Sequence, residues 1–509
     1  DGIGGTIAIS AAQGSITSNG LNLYAGGYGG SGDTLGGAGL GGSISLDASQ
    51  GATIDVQSTI ADTTGYGGYG GLAGIGGDGT GGAIDLAVSG GATYASTGFT
   101  SFYADGYGYD GFLAGGTGTG GVISLTDTGG TFDFSSLFLS ADGTGAYSDT
   151  LFGDGIGGSV LISLRGADQN WDYLYASAIA TAGDSYGSPS AAVGGIATGD
   201  SVNGVSLDIN GVALNLTGGL ELNADAYGNL NGDATSLATA GRANLSISGG
   251  GALVTDASVK VTASAHVSLG DVTGDPDVTS SLQGGTTSLD ISGGSLTAGQ
   301  LDVLAEAEGF GALVLAGQAR GGTASATVSN GGILNVGSPT GTGTLTVSAA
   351  AIGNFETFFT PTSPTVDTGF AADAQGGTAT LQLVSGQVST AGATLVTASG
   401  TGGPSGNGSD GGNGTGGTAT LAMSGGTFTF GSDLDVLATG IGGTAILGGT
   451  SGAGTGGLAA FDATGGTATI ASGNLTISAG ALAQDIDITQ TGSGGDARGG
   501  TARLGTAGT

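Results

Sequence analysis

The stretch from Gly120 to Asp127, with the sequence GGVISLTD, decides the fold of this chain. Two glycines precede a run in which Ile123 and Leu125 alternate with polar side chains. A period of two places one set of side chains inward and the other outward, which is typical of a β-strand. Glycine tolerates the backbone angles of a tight corner at the start of such a strand. We therefore predict a short strand that follows a glycine corner.

The same pattern recurs along the whole chain, mostly at intervals of about 40 residues, as in repeat proteins. Further copies begin at Gly4, Gly41, Gly81, Gly157, Asn203, Gly241, Gly284, Gly321, Gly376, Gly416, Gly465 and Gly499, with a partial copy at Gly456. A second signature follows each copy, in which apolar residues alternate up to an alanine, as in Leu137–Ala141 and Leu301–Ala305. A short segment such as Thr131–Phe134 lies between them. Each unit is therefore interpreted as three short strands followed by a glycine-rich stretch.

One three-stranded unit cannot bury its apolar face alone, but units stacked in register bury it and continue a parallel hydrogen-bond ladder. We expect an all-β fold, a right-handed parallel β-helix or β-solenoid of about 12–13 coils and about 60 Å in length. The glycine-rich stretches, such as 26–42, 65–82 and 402–417, are predicted to be side loops from one corner. Longer insertions are predicted near 266–283 and 354–375.

Two sub-regions are distinguished within one continuous solenoid. Residues 1–200 are rich in Tyr and Gly, and residues 201–509 are richer in Thr and Ala and carry the two insertions. The first residues, DGIGG, already have the sequence of the inside of a repeat. We therefore expect the chain to be a processed product or part of a longer polypeptide.

The charge balance is strongly acidic. The chain has 40 acidic and 6 basic residues and a formal net charge of −34. Nucleic-acid binding requires a basic patch, and binding to anionic lipid requires the same, so both are excluded. The sequence has no cysteine, which excludes disulfides and thiol chemistry. No apolar run approaches the length of a membrane span, so no membrane insertion is expected.

The sequence offers few residues for catalysis. His266 is the only histidine and Lys260 the only lysine. Lys260 is predicted to point outward from a strand, and His266 to lie at a loop edge. One histidine without a partner pattern does not make a catalytic triad. Paired carboxylates hydrolyse glycosides in some proteins, but outward Asp residues are expected to be solvated strand positions. We predict that the chain is not an enzyme.

Calcium is the metal that the composition favours, because Asp residues recur in the glycine-rich stretches. Asp33, Asp78 and Asp410 lie in segments that resemble fragments of the calcium-binding nonapeptide repeat, without its nine-residue rhythm. Calcium needs about six to eight oxygen ligands, which single Asp residues do not guarantee. Either these three residues bind calcium, or they form turns and attract counter-ions diffusely.

Aromatic residues follow the third predicted strand in successive early units. If their segments leave the same corner, the rings form one stripe that binds sugars or a neighbouring molecule. Alternatively, the rings fold back and cover the flank of the solenoid. The stripe consists of Tyr28, Tyr66, Tyr69, Tyr107, Tyr109, Phe112, Tyr147 and Phe152.

The segments GGTATLQL at Gly376 and GGTATLAM at Gly416, the latter followed by Leu434–Ala438, resemble the repeats of very large Gram-negative exoproteins. These are filamentous-haemagglutinin-like and autotransporter-like adhesins, particularly the glycine-rich ones of alphaproteobacteria. The resemblance covers nearly the whole chain. It implies a right-handed β-helix, secretion to the outer cell surface, and a role in adhesion, biofilm or surface filaments. The family's secretion signature is not visible, so the export route stays open.

Three functional hypotheses follow. The first is an extracellular structural or adhesive surface protein that associates with itself, end to end or laterally, in a filament. The second is a carbohydrate-binding module that uses the tyrosines to hold a polysaccharide or another cell-surface ligand. The third is an enzyme that acts on polysaccharides, which requires acidic and basic side chains clustered on neighbouring coils.

Overall fold

The computed structural model describes residues 1–183, 196–228, 236–269, 279–311, 316–337, 343–355, 371–405, 410–445, 449–483 and 493–506. The described part of the chain consists of short strands and turns and contains no helix. Successive passages of the chain stack as parallel strands in five sheets, numbered here in their order within the coil that begins at Gly155, the first coil that contains all five. This stacking confirms the predicted β-solenoid.

Sheets 1 and 5 are built from very short strands. The thirteen strands of sheet 1 are Gly2–Ile3, Gly39–Leu40, Gly79–Thr80, Gly118–Thr119, Gly155–Ile156, Ile196–Thr198, Ser236–Thr239, Thr279–Gln283, Ala316–Arg320, Asp373–Gln375, Gly414–Thr415, Gly454–Thr455 and Ala497–Arg498. The twelve strands of sheet 5 are Gly27–Tyr28, Gly65–Tyr66, Gly106–Tyr107, Gly143–Thr144, Ala180–Thr181, Ala226–Tyr227, Ala265–Leu269, Ala307–Gly311, Ala351–Phe355, Gly400–Thr401, Gly440–Gly442 and Ala481–Ala483.

Sheet 2 contains the strands that follow the Gly-Gly pairs. Its thirteen strands are Thr6–Ala12, Ser43–Ser49, Ala83–Ser89, Val122–Thr128, Ser159–Leu164, Val205–Asn210, Arg242–Ser248, Thr286–Ser292, Thr323–Ser329, Thr378–Leu383, Thr418–Met423, Leu458–Ala463 and Thr501–Thr506. Each passage contributes one strand, as the predicted repeat requires, but the copy predicted at Gly465 was wrong. The sheet 2 strand Leu458–Ala463 follows the copy at Gly456 that was predicted to be partial, and the strand after Gly465, Thr467–Ile470, belongs to sheet 3.

Sheets 3 and 4 complete the coil. The eight strands of sheet 3 are Gln169–Trp171, Ala213–Leu216, Ala252–Thr255, Ser295–Ala298, Gly332–Val336, Gly386–Thr390, Thr427–Phe430 and Thr467–Ile470. The fourteen strands of sheet 4 are Ser15–Ser18, Leu21–Tyr24, Thr53–Val56, Thr59–Asp62, Thr93–Tyr103, Thr131–Ser140, Tyr173–Ser177, Leu220–Asn223, Ser258–Thr262, Gln300–Leu304, Leu345–Ser348, Thr394–Thr397, Leu434–Leu437 and Leu475–Ser478.

Sheets 2, 3 and 4 enclose the hydrophobic core, and we call this part the aliphatic lobe. Equivalent inward positions of successive coils carry similar side chains. Leu86, for example, pairs in register with Leu46 and Leu125. These three side chains are fully buried. In sheet 2 the outward positions between them are mostly small or polar, as the period of two predicted. Burial of apolar surface is therefore what holds this lobe together.

Sheets 1 and 5 face each other in a second part, which we call the glycine-rich lobe. Their inward positions are glycine in the early coils, and the two backbones lie in direct contact. A Cβ atom built on Gly65 would lie 2.0 Å from the carbonyl oxygen of Thr80, and one on Gly118 would lie 2.0 Å from that of Thr144. In the middle coils alanines such as Ala226 and Ala238 take these positions. In the early coils the two backbones lie so close together that no side chain fits between them.

The Gly-Gly pairs form a waist between the two lobes. The N–H of Gly121 donates to the carbonyl of Ala104 across the coil, at 2.6 Å. A Cβ atom on Gly120 would lie 2.0 Å from the carbonyl oxygen of Ala141, and one on Gly121 would lie 2.0 Å from that of Gly82. Both glycines of the repeat are thus required by the close approach of neighbouring backbone.

The glycine-rich stretches were predicted to be side loops, but they contain strands and are therefore part of the coil. Residues 26–42, for example, contain the strands Gly27–Tyr28 and Gly39–Leu40, which belong to sheets 5 and 1. The ladder also continues past residue 200, because Val160 pairs with Val205. Of the two predicted insertions, residues 270–278 and 356–370 lie outside the described residues.

Candidate functional site

Between sheets 4 and 5 the backbone bends so that outward side chains are covered. Carboxyl groups recur along this bend in several coils, together with buried hydroxyls such as those of Ser140 and Ser264. The Asp105 and Asp225 side chains are almost inaccessible there. We call this column the acidic seam, and it comprises Asp105, Asp142, Asp225 and Glu306.

Asp105 is held by neighbours from its own coil and the next. Its carboxylate accepts hydrogen bonds from the Ser140 hydroxyl at 2.6 Å and from the Asp142 N–H at 2.8 Å. The Tyr107 hydroxyl donates a longer one, at 3.4 Å. Burial raises the pKa of Asp105 to about 7, and the nearby Asp142 carboxylate acts in the same direction. Burial also raises the pKa of Asp142. Two adjacent coils therefore hold carboxyls that favour the protonated form.

His266 belongs to the same seam. It lies in the strand Ala265–Leu269 rather than at a loop edge, so that expectation was wrong. Its Nε2 is 3.8 Å from Asp225 Oδ2, and its Nδ1 is 3.7 Å from Glu308 Oε2. Burial lowers the pKa of His266, but the nearby Asp225 carboxylate and the charges of Glu308 and Glu306 give a net rise.

The Glu306 carboxyl is another seam group whose pKa is raised. Burial raises the pKa of Glu306 to about 7, against a hydrogen bond that the Ser348 hydroxyl donates. The carboxylate of Glu308 lies on the outward face of sheet 5 beside it. Lys260 points outward, as predicted, and its Nζ is 3.6 Å from Glu221 Oε1. The Lys260–Glu221 ion pair thus links neighbouring coils on the outward face of sheet 4.

The predicted aromatic stripe separates into parts. Tyr28, Tyr66 and Tyr107 occupy the same outward register position of sheet 5. Their rings stack face to face with centroid separations of 5.1 and 5.2 Å. Both faces of the Tyr66 ring are therefore covered by its neighbours, and we call these three residues the tyrosine column. Further along sheet 5, Tyr227 stacks on His266 in the same way, at 5.0 Å.

The remaining predicted aromatics lie farther out, where the chain turns from sheet 5 back to sheet 1. Tyr69 and Tyr109 meet edge to face with centroids 6.4 Å apart, and both are exposed. Phe112 is exposed beside them, and Tyr147 is partly buried. Phe152 is buried and contributes nothing to an exposed surface.

A second aromatic column, which the sequence reasoning missed, lies on the outward face of sheet 4. Phe138 stacks on Tyr175 at 4.7 Å and contacts Tyr103 at 5.9 Å. The signal was present, because Phe138 lies between the inward residues Leu137 and Leu139 and must point outward. At Asp105 the acidic seam lies between the two aromatic columns, with Tyr103 of sheet 4 on one side and Tyr107 of sheet 5 on the other.

Two of the three candidate calcium residues have another role. Asp78 Oδ1 accepts the N–H of Thr117 at 2.8 Å, and Asp410 Oδ1 accepts that of Thr450 at 2.7 Å. In each case the donor is the residue stacked directly on the aspartate in the next coil. Asp33 is exposed in a turn.

The same arrangement recurs at many aspartates along the chain, most of them just before a strand. The carboxylate accepts an N–H of the next coil that the strand ladder does not use, which explains why Asp is so abundant. The described residues contain no group of three or more Asp, Glu or His side chains arranged to bind a metal. In this part of the chain, the structure therefore does not bring these three positions together with other carboxylates, and calcium binding at any one of them stays a prediction. Further aspartates of this kind are Asp1, Asp142, Asp154, Asp168, Asp373 and Asp433.

A polar groove of about 600 Å³ lies on the side of the waist opposite the seam. Its floor consists of Gly-Gly pairs from successive coils, such as Gly321–Gly322 and Gly376–Gly377. Gln283, Arg320 and Gln375, one above another in sheet 1, form one wall, and threonines of sheet 2 form the other. The groove presents amide, guanidinium and hydroxyl groups at the spacing of successive coils, which is about 4.8 Å.

Comparisons with protein-family models, with curated proteins and with solved structures gave no match for this chain. Within the described ranges, no helix is long and apolar enough to cross a membrane.

Proposed function

We propose that this chain is an extracellular structural or adhesive surface protein, and that its role is to present a long, regular, acidic surface. The observation that carries the proposal is the unbroken stacking of thirteen strands in sheet 2. Such a ladder gives a stiff rod whose outward positions repeat at every coil. The net charge of −34 favours solubility and mutual repulsion between rods.

The proposed location is the outer surface of a Gram-negative cell, with self-association as the route to a filament. Immunogold labelling of intact source cells tests the location, and we expect labelling without permeabilisation. Electron microscopy of the purified chain, with and without a calcium chelator, tests assembly. Filaments that dissolve with chelator support calcium bridging. Labelling confined to the cell interior would rule out a surface role.

Carbohydrate binding is a second candidate, and the polar groove favours it. The stacked amides and hydroxyls of the groove can form hydrogen bonds with the hydroxyl groups of a linear glycan. In the tyrosine column, by contrast, the rings stack on one another, so their stacked faces are not free to contact a sugar. Retention on polysaccharide resins tests this function. If the double variant Arg320→Ala/Gln375→Ala is no longer retained, the groove is the glycan-binding site. If the variant with Tyr66, Tyr69, Tyr107 and Tyr109 changed to Ala is no longer retained, the tyrosines are the binding site. Hydrolysis of the resin would instead favour a polysaccharide-acting enzyme.

A further inference from the structure

The outer end of the glycine-rich lobe is built from turns that join sheet 5 to sheet 1. The turns of the first four coils, residues 29–38, 67–78, 108–117 and 145–154, stack on one another. Leu35 pairs with Ile75, and Ile75 pairs with Ala114. In the next coil, the Gly115 N–H donates to the Leu151 carbonyl at 2.8 Å. Side chains at equivalent positions in these turns therefore form one continuous surface.

Large apolar side chains on these turns are exposed to solvent. Leu72 is 85% exposed and Leu35 is 64% exposed. Single exposed apolar residues are normal, but a contiguous group marks an interaction surface. The group lies on four neighbouring coils, while the fully buried core is on the far side of the waist. We call it the apolar tip, and it comprises Leu35, Tyr69, Leu72, Ile75, Tyr109, Phe112, Leu113 and Leu151.

The charge around the apolar tip has one sign. Residues 1–164 contain 14 Asp and no Lys, Arg or His. Asp33, Asp110 and Asp149 lie within the turns themselves, next to the exposed apolar residues. A second copy of this chain would bring the same carboxylates to the interface, and like charges at close range oppose association. A partner with positive charge gains attraction from the same field.

We propose that the apolar tip binds a polypeptide segment that is both basic and amphipathic, whose apolar face covers Leu72 and Phe112 and whose cationic groups meet the surrounding aspartates. This inference rests on the proposed adhesive role and names the surface that makes contact. Burial of the apolar side chains against the partner provides the affinity. The aspartates favour a positively charged partner and speed up its association, and this rate falls as salt is raised.

The test uses the full chain and a synthetic amphipathic helix of Lys and Leu, with binding measured by isothermal titration calorimetry. We expect binding that weakens as salt is raised. Leu72→Ser/Phe112→Ser is expected to weaken binding by about tenfold or more, because two apolar contacts are lost. The matched control, Val254→Ser/Val384→Ser, removes valines that are 40% and 41% exposed elsewhere on the rod, and is expected to bind like the original chain.

Three results would overturn the proposal. Equal binding by the tip variant and the original chain would show that the apolar tip is not the site. Equal binding of a Glu and Leu helix would show that charge does not select the partner. A dimer in light scattering that the tip variant loses would identify a second copy as the occupant. Each result is independent of the immunogold experiment, so failure of the surface location and failure of the tip are separable.

Discussion

In the aliphatic lobe Leu86 lies between Leu46 and Leu125, whereas in the glycine-rich lobe Gly79 lies between Gly39 and Gly118. Both columns use the same parallel hydrogen-bond ladder. The leucines fill the space between sheets about 10 Å apart, as is usual for stacked sheets. A Cβ atom on Gly79 would lie 2.0 Å from the carbonyl oxygen of Tyr107, so the opposing backbone itself fills that space.

The difference shows that one repeat combines two kinds of packing with opposite sensitivities to side-chain volume. The aliphatic lobe is stabilised by buried apolar area, so removal of volume is costly there. The glycine-rich lobe has no side chains to remove at its inward positions, so addition of volume is costly there. The Gly-Gly waist joins the two lobes and lets a single chain alternate between them.

The largest effect is expected from Gly118→Ala. The new methyl group would lie 2.0 Å from the Thr144 carbonyl oxygen, within backbone that cannot move without breaking the ladder. We expect a loss of about 4 kcal/mol in the free energy of unfolding, or failure to fold. Guanidinium unfolding followed by circular dichroism measures it. Gly30→Ala is the control, because a Cβ atom there has open space around it. Equal stability of the two variants would mean that the sheets of this lobe are not in backbone contact.

The next effect is expected from Leu125→Ala in the aliphatic lobe. This fully buried side chain would leave a cavity, at a cost of about 2–4 kcal/mol in the free energy of unfolding. The same unfolding experiment measures the loss, with Ser124→Ala on the outward face of the same strand as control. A loss no greater than that of the control would contradict the assignment of Leu125 to the core.

The acidic seam, where the two lobes meet, is expected to make stability depend on pH. The pKa of Asp105 is raised to about 7, above the usual value of about 3.9 for an unfolded chain. The folded state therefore holds a proton that the unfolded state has lost. This contribution to stability is fully present below about pH 4 and is lost as the pH rises through about 7. Glu306 acts in the same direction.

Unfolding free energies at pH 5 and pH 8 test this expectation. We expect a decrease at pH 8, of which about 2 kcal/mol comes from Asp105. Asp105→Asn should remove that part of the decrease, since its amide oxygen accepts the hydrogen bonds of Ser140 and Asp142 without titrating. Asp133→Asn changes an exposed carboxyl and serves as the control for net charge. An unchanged pH dependence in Asp105→Asn would disprove the role of the seam.

The smallest effect is expected where an aspartate accepts a backbone N–H of the next coil. Asp78→Ala leaves the Thr117 N–H without that acceptor, at a cost of about 1 kcal/mol in the free energy of unfolding. Asp78→Asn should recover most of this loss, because its amide oxygen accepts the same hydrogen bond. Calorimetric titration with calcium gives a second measurement, and a calcium-dependent gain in stability that Asp78→Ala abolishes would favour a metal site instead.

The aliphatic lobe could be predicted closely from the sequence. The alternation of Ile123 and Leu125 identified the strand, its inward face and its stacking partners in neighbouring repeats. The glycine-rich lobe was expected as side loops, because a two-residue strand such as Gly65–Tyr66 is too short for a period to be visible. The tyrosine column was located in sequence, but the stacking of Tyr28, Tyr66 and Tyr107 depends on their exact register.

The acidic seam could not be predicted, because its members are spaced by whole coils and differ in residue type. The sequence by itself determined the repeat, the parallel β-solenoid and the acidic character, since these follow from periodicity and composition. Only the tertiary structure decided that the glycines place two backbones in contact, that the aspartates accept N–H groups of the next coil, and that four carboxyls lie along one bend, with Asp105 and Asp225 buried. Those properties depend on how closely separate coils approach, and that distance is set by the packing of the whole stack.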